Sequence, residues 1–226
     1  MKHLFVNFTG KDWGLWIGSL IIVAGANLVS RDFDAMILCA ALIGVTSLIF
    51  AAKGNVLSQV LMVVFSILYG IISFRFRYWG EMITYLGMTL PMAVWSFFTW
   101  FRNSSEERGG EVIIASMTVK KWGILIGATV VVTTLFYFVL KAFDTPNLAF
   151  STLSVTTSFL AAALTMLRSK YYALFYAAND VVLVVLWILA SLSNPVYVPV
   201  IVIFLIFLVN DSYGFISWKK REKEAS

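Results

Sequence analysis

Gln59, Ser66, Tyr69 and Ser73 recur at spacings of seven, three and four, which places them on one face of a helix. Tyr172, Tyr176 and Asn179 share a face in the same way, with Trp187 further along and Asp180 beside Asn179. Asn210 and Asp211 form a third group, followed by Ser212 and Tyr213. Together these side chains offer amides, hydroxyls and aromatic faces with few fixed charges. Amides and hydroxyls suit a carboxamide or a ribose, and flat rings suit a heteroaromatic ring. A cationic ring gains further from a π face. The ligand so described is small, polar and partly planar. Each group has a structural reading too. Gln59, Ser66 and Ser73 equally suit hydrogen bonding between neighbouring helices, and Tyr69 and Tyr172 suit anchoring at a membrane interface.

The elements that must hold these groups are apolar stretches of near bilayer-spanning length. The 226 residues are 60% hydrophobic and 13% charged, with mean hydropathy +0.87, outside the balance of soluble domains. A span takes about 20 apolar residues, and in lipid its backbone must satisfy its own hydrogen bonds, so these stretches are predicted helices. The expected spans are residues 13–30, 34–52, 56–74, 82–101, 122–140, 149–167, 171–191 and 196–216, all within one transmembrane domain. The first is the shortest, with polar Asn27 near its end, and reads as a retained helix rather than a signal peptide. The long polar segment from Arg102 to Lys121 divides the chain near its middle. Asp180, near mid-span, must face a cavity or a partner, because a charge against lipid is costly. Asp211 lies closer to the cytoplasmic end. Pro91 removes a backbone hydrogen bond from the fourth span and is expected to kink it.

Charge placement orients the chain. Lys2, Lys11, Lys53, Arg102, Arg108, Lys120, Lys121, Arg168, Lys170 and the tail from Lys219 to Lys223 fall on one side. Arg31, Arg75, Arg77 and Lys141 fall on the other. The positive-inside rule then puts both termini in the cytoplasm. The net charge of +5 is therefore a topology signal, and the basic tail is too short a run to argue for nucleic acid. Trp13, Trp79, Trp100, Trp122 and Trp218 sit near span ends and read as interface anchors. Arg75, Arg77 and Glu81 flank an outer loop, where they can pair or meet an incoming solute. The single Cys39 and the terminal His3 offer neither a disulfide nor a metal cluster. Phosphate loops, zincin motifs and nucleophile elbows are missing, so no enzyme, cofactor or metal is expected.

The two halves echo each other in order. Lys11-Asp12-Trp13-Gly14 is matched by Lys120-Lys121-Trp122-Gly123, and Val45-Thr46-Ser47-Leu48 by Thr156-Thr157-Ser158-Phe159. Trp95-Ser96-Phe97-Phe98-Thr99-Trp100 is matched by Tyr213-Gly214-Phe215-Ile216-Ser217-Trp218, each followed by basic residues. Repeats four spans apart enter the membrane in the same direction, the parallel arrangement of some transporters.

Tyr78-Trp79-Gly80-Glu81-Met82, Pro91, Tyr176-Ala177-Ala178-Asn179-Asp180 and Val209-Asn210-Asp211-Ser212-Tyr213-Gly214-Phe215 carry a further likeness. Over nearly its whole length the chain resembles the PnuC family of bacterial nicotinamide riboside transporters. The resemblance implies a fold similar to SWEET-type sugar transporters. Residues 34–101 and 149–216 would be two three-helix repeats, 122–140 a linker helix and 13–30 an extra helix. It also implies a homotrimer in the bacterial inner membrane and facilitated diffusion of nicotinamide riboside by alternating access. A separate cytoplasmic kinase would trap the solute. Gln59 and Asn179 would bind as amides and Tyr176 as a ring face, with Asn210 and Asp211 binding hydroxyls or holding helices. Many members have tryptophans where this chain has Tyr172, Phe175 and Tyr176. That departure leaves room for thiamine or riboflavin as substrate, and Asp180 for proton coupling.

Overall fold

Local chemistry sets where the apolar stretches become helices. The structure, a computed structural model, describes residues 5, 7–29, 33–105 and 109–225. Lys2, His3, Arg31 and Arg108 lie outside them. Thr9 and Asp12 form a reciprocal cap at the start of α1 (Gly10–Leu28), and Asp34 caps α2 (Ala35–Ala52) by accepting from the Met36 and Ile37 N–H groups. α3 (Leu57–Arg75) follows. α4 (Trp79–Ile83), a π-helical turn (Thr84–Thr89) and α5 (Leu90–Arg102) run on as one helix. The π turn stands where a kink was expected. Pro91 has no N–H to give, and the preceding Leu90 N–H reaches back five residues to the Tyr85 carbonyl.

A hairpin of β1 (Ser104–Ser105) and β2 (Glu111–Val112) links the halves. Then come α6 (Val119–Ala142), α7 (Leu148–Met166), α8 (Tyr172–Ser193), a short 3-10 turn (Pro195–Tyr197) and α9 (Val198–Ala225). Among the described residues, seven helices are long and apolar enough to cross a membrane: α2, α3, the Trp79–Arg102 helix, α6, α7, α8 and α9. The first expected span is also a helix, but Lys11, Asp12, Ser19 and Asn27 leave α1 less apolar than those seven. The basic tail continues α9 beyond the expected end at residue 216.

α2 packs on α3 and α9, α8 on α7 and α9, and α5 on α3 and α7. α1 lies against α2 and α9, whereas α6 packs chiefly on α7 and leaves Ile124, Val131, Leu135 and Phe138 exposed. α2 and α7 end alike. Two residues beyond each end, Gly54 (φ 68°) and Arg168 (φ 56°) turn left-handed. Their N–H groups bond the Ala51 and Thr165 carbonyls, and those of Asn55 and Ser169 bond Phe50 and Leu164. The linking segment docks on both turns: Val112 N–H bonds the Gly54 carbonyl, and Ala115 N–H bonds the Arg168 carbonyl. Arg221 of α9 ties down the hairpin through Glu111 (2.9 Å) and the Val112 carbonyl (3.0 Å).

Trp100 and Trp218 are not interface anchors. Both are 0% exposed, with ring centroids 5.4 Å apart. Each reaches across to the other half. The Trp100 indole N–H donates to the Thr165 carbonyl (2.8 Å) and the Trp218 indole N–H to the Ala51 carbonyl (2.9 Å).

Candidate functional site

The polar stripes of α3, α8 and α9 all turn inward. Gln59, Ser66, Tyr69, Tyr172, Asn179, Asp180, Trp187, Asn210 and Asp211 are buried, and Tyr176 is half-buried. Burial of polar groups in a bundle core requires partners, and here the partners are incomplete.

At the centre, Asp180 of α8 and Asp211 of α9 lie close enough for their carboxyls to interact. Asp180 Oδ2 is buried and has no hydrogen-bond partner among the described residues. Tyr176 of α8 and Tyr85 of the π turn share the neighbourhood of these acids. Asn179 is held from α7: its Oδ1 accepts from Thr157 Oγ1 (2.8 Å) and Ser154 Oγ (3.3 Å). Those two bonds orient the amide and leave its NH2 without a hydrogen bond among the described residues.

Toward the end bearing the hairpin and the basic tail, Tyr172 stacks edge-on to Trp218 (4.8 Å) and Trp100 (6.3 Å). Buried Tyr172 is thus part of an aromatic plug and not an interface anchor. At the opposite end, Tyr78 and Tyr197 meet edge to face at 5.5 Å, each the residue just before the last long helix of its half. Trp187 packs on both, at 4.9 and 5.5 Å. Tyr69 lies beneath, 4.4 Å from the Tyr85 ring. Tyr69 and Trp187 also line a cavity of about 20 Å³, room for roughly one water.

Two members of the expected set turn elsewhere. Asn210 donates to Ser19 Oγ (2.9 Å) and the Ile206 carbonyl (2.8 Å), so it joins α9 to α1. The Gln59 amide nitrogen bonds Ser58 Oγ (3.1 Å) on its own helix. Ser66 and Ser73 are buried with hydroxyls that find no partner.

Tyr85, Tyr78, Tyr197, Ser154 and Thr157 join the cluster, although the sequence gives none of them a binding role. Glu81 was read as flanking an outer loop. It is instead 4% exposed, with Oε2 unpartnered. Arg75 pairs with Asp34 (2.9 Å), not with Glu81. A stripe continued from Glu81 to Tyr85, spaced four on one helix, was the available signal.

At the basic end an open cleft of about 1140 Å³ is lined by Lys11, Lys53, Tyr213, Lys220 and Arg221, among others. Beside it Asp12 bonds Tyr213 (2.6 Å) and Lys53 (3.0 Å). Burial pushes the Asp12 carboxyl up, but hydrogen bonds from Tyr213, Thr9 and Lys53 outweigh this and hold it below the usual carboxylate value.

Comparison with known proteins agrees with this arrangement. The profile of a family described as nicotinamide mononucleotide transporter matches residues 34–220. The nicotinamide riboside transporter PnuC of Neisseria mucosa is 25% identical, over 100% of this chain and 87% of that protein. That of Haemophilus influenzae is also 25% identical, over 100% and 97%. A crystal structure of the vitamin B3 transporter PnuC superposes with TM-score 0.87 at 24% identity, covering 100% of this chain and 97% of that one. At that identity the likeness establishes the fold.

Proposed function

Because the chain belongs to the nicotinamide mononucleotide transporter family, we propose that it carries nicotinamide riboside across the bacterial inner membrane by facilitated diffusion. The observation that carries the reading is the buried set of Asn179, Asp180, Asp211, Tyr176 and Tyr85 between two aromatic closures. A purely structural core would satisfy such groups among themselves. Amide, hydroxyl and ring faces match the carboxamide, ribose and pyridinium of the solute.

Two parallel three-helix repeats, α2–α5 and α7–α9, carry the site, with α6 as linker and α1 as an eighth, accessory span. The alike ends of α2 and α7 and the crossed indole bonds of Trp100 and Trp218 support the duplication. Transport is alternating access. Tyr78–Tyr197 closes one end and Trp100–Trp218–Tyr172 the other, and each parts in turn. With Lys53, Lys170 and the α9 tail at the same end as the hairpin, both termini face the cytoplasm. A separate kinase phosphorylates the solute there and so prevents its return. The assembly is a homotrimer in lipid.

The test is uptake into vesicles without ATP. Labelled nicotinamide riboside should equilibrate, while nicotinamide mononucleotide, thiamine and riboflavin should not. Equilibration of thiamine or riboflavin in its place would reassign the substrate. Uptake of none would remove the carrier reading.

A further inference from the structure

Glu81 is an acid in the protein interior with no basic partner. It stands between Tyr78 and Tyr85, three and four residues away along the same helix, and those two rings pack on Trp187 (4.9 Å) and on Tyr69 (4.4 Å). No ion pair among the described residues involves it, and Oε2 makes no hydrogen bond. Two buried donors beside it are also unused. The Trp187 indole N–H lies near the Tyr69 hydroxyl, yet neither meets hydrogen-bond geometry with any group. Ser73, one turn beyond Tyr69 on α3, adds a third unpartnered donor.

One unpartnered carboxyl, three idle donors and a ring of aromatic faces form a complementary set. Burial disfavours the charged form of such a carboxyl, and a cation brought beside it favours that form. Tyr78, Trp187 and Tyr197 supply π faces within 5.5 Å of one another, and such faces attract a flat cation. The donors suit a carbonyl oxygen. The cavity beneath the rings holds about 20 Å³, so a ring enters only when Tyr78 and Tyr197 separate.

We propose that Glu81, Tyr69 and Trp187, roofed by Tyr78 and Tyr197, form a recognition station for a planar organic cation bearing a carbonyl group. The station is separate from the Asp180–Asp211 pair, and it lies at the end of the bundle away from the basic tail. It selects for positive charge before the ligand reaches the central acids, with Tyr85 packed on the station's Tyr69. The inference rests on the carrier reading for its biological role, but binding at the station is measurable without transport.

Two probes of one shape separate charge from contacts: 1-methylnicotinamide, a cation, and nicotinamide, its neutral counterpart. Binding to purified full-length protein is followed by tryptophan fluorescence, and competition by uptake in vesicles. The wild-type protein should bind the cation more tightly than the neutral amide. Glu81→Gln should weaken the cation by about tenfold, the loss of one charge-assisted contact, and leave nicotinamide within about twofold. Glu81→Asp should restore part of the preference. Equal affinity for the two probes in the wild-type protein, or an unchanged ratio in Glu81→Gln, overturns the station. If Glu81→Gln does not fold, Trp187→Phe supplies the second arm, removing the donor and keeping a ring. It should weaken both probes alike. Cation binding without riboside uptake would refute the transport reading while leaving the station standing.

Discussion

Trp100 and Trp218 lie 5.4 Å apart and each donates its indole N–H across the bundle, to Thr165 and to Ala51. Each acceptor is the penultimate residue of its helix, α7 or α2. The two halves are thus locked reciprocally at the basic end, by side chains that also close the polar core. Trp218→Phe should cost about 1 kcal/mol, the net worth of one hydrogen bond, and Trp218→Ala about 3–5 kcal/mol. Thermal unfolding of the purified protein in detergent checks both. No loss in Trp218→Phe would mean that the N–H contributes nothing.

Tyr78 and Tyr197 form the matching contact at the other end, with ring centroids at 5.5 Å. In a Cys39→Ser background, cysteines at both positions bridged by a short cleavable thiol reagent should abolish uptake. Reductant should restore it. Full uptake by the bridged protein would show that this pair need not part.

Gly54 adopts φ 68°, and a Cβ there would collide with the Arg221 guanidinium. Gly54→Ala should therefore cost about 1–2 kcal/mol in backbone strain and displace Arg221 from Glu111 and Val112. Hydrogen exchange at the Val112 amide, which bonds the Gly54 carbonyl, should quicken. Wild-type protection there would contradict the docking role of this turn.

Asn179 has its oxygen fixed by Thr157 and Ser154, which aims its NH2 for a ligand. Asn179→Ala should raise the half-saturating concentration of nicotinamide riboside about tenfold with normal membrane insertion. An unchanged value removes Asn179 from the binding site.

Asp12 gives the pH dependence. Its carboxyl sits below the ordinary carboxylate value because Tyr213, Thr9 and Lys53 bond the charged form against the opposing effect of burial. A lowered folded-state pKa contributes stability that is complete above the unfolded value and lost as pH falls through the folded one. Melting temperature measured against pH should drop on the acid side in the wild-type protein and less steeply in Asp12→Asn. Parallel curves would exclude Asp12 as the source.

Much of the site was legible because polar residues within apolar helices stand out at helical spacing. Ser66, Tyr69 and Ser73 on α3 and Tyr172 and Asn179 on α8 are buried on the faces expected of them, and Tyr176 is half-buried. Glu81 was misplaced because Arg75 and Arg77 precede it closely and a charged cluster near a span end normally lies in water. Tyr85 went unnoticed for a related reason: a lone tyrosine in an apolar run reads as ordinary core.

Length and hydropathy, local in origin, sufficed to place the seven apolar helices found among the described residues, and the order of short motifs sufficed to suggest the family. Burial of Trp100 and Trp218, the docking of Val112 and Ala115 on two distant turns, and the meeting of Asp180 with Asp211 depended on tertiary structure. Each of these joins residues from separate helices or loops. A helix end or an apolar run is decided by its own neighbours in sequence, whereas a side chain's partner is decided by which helix the packing brings alongside it.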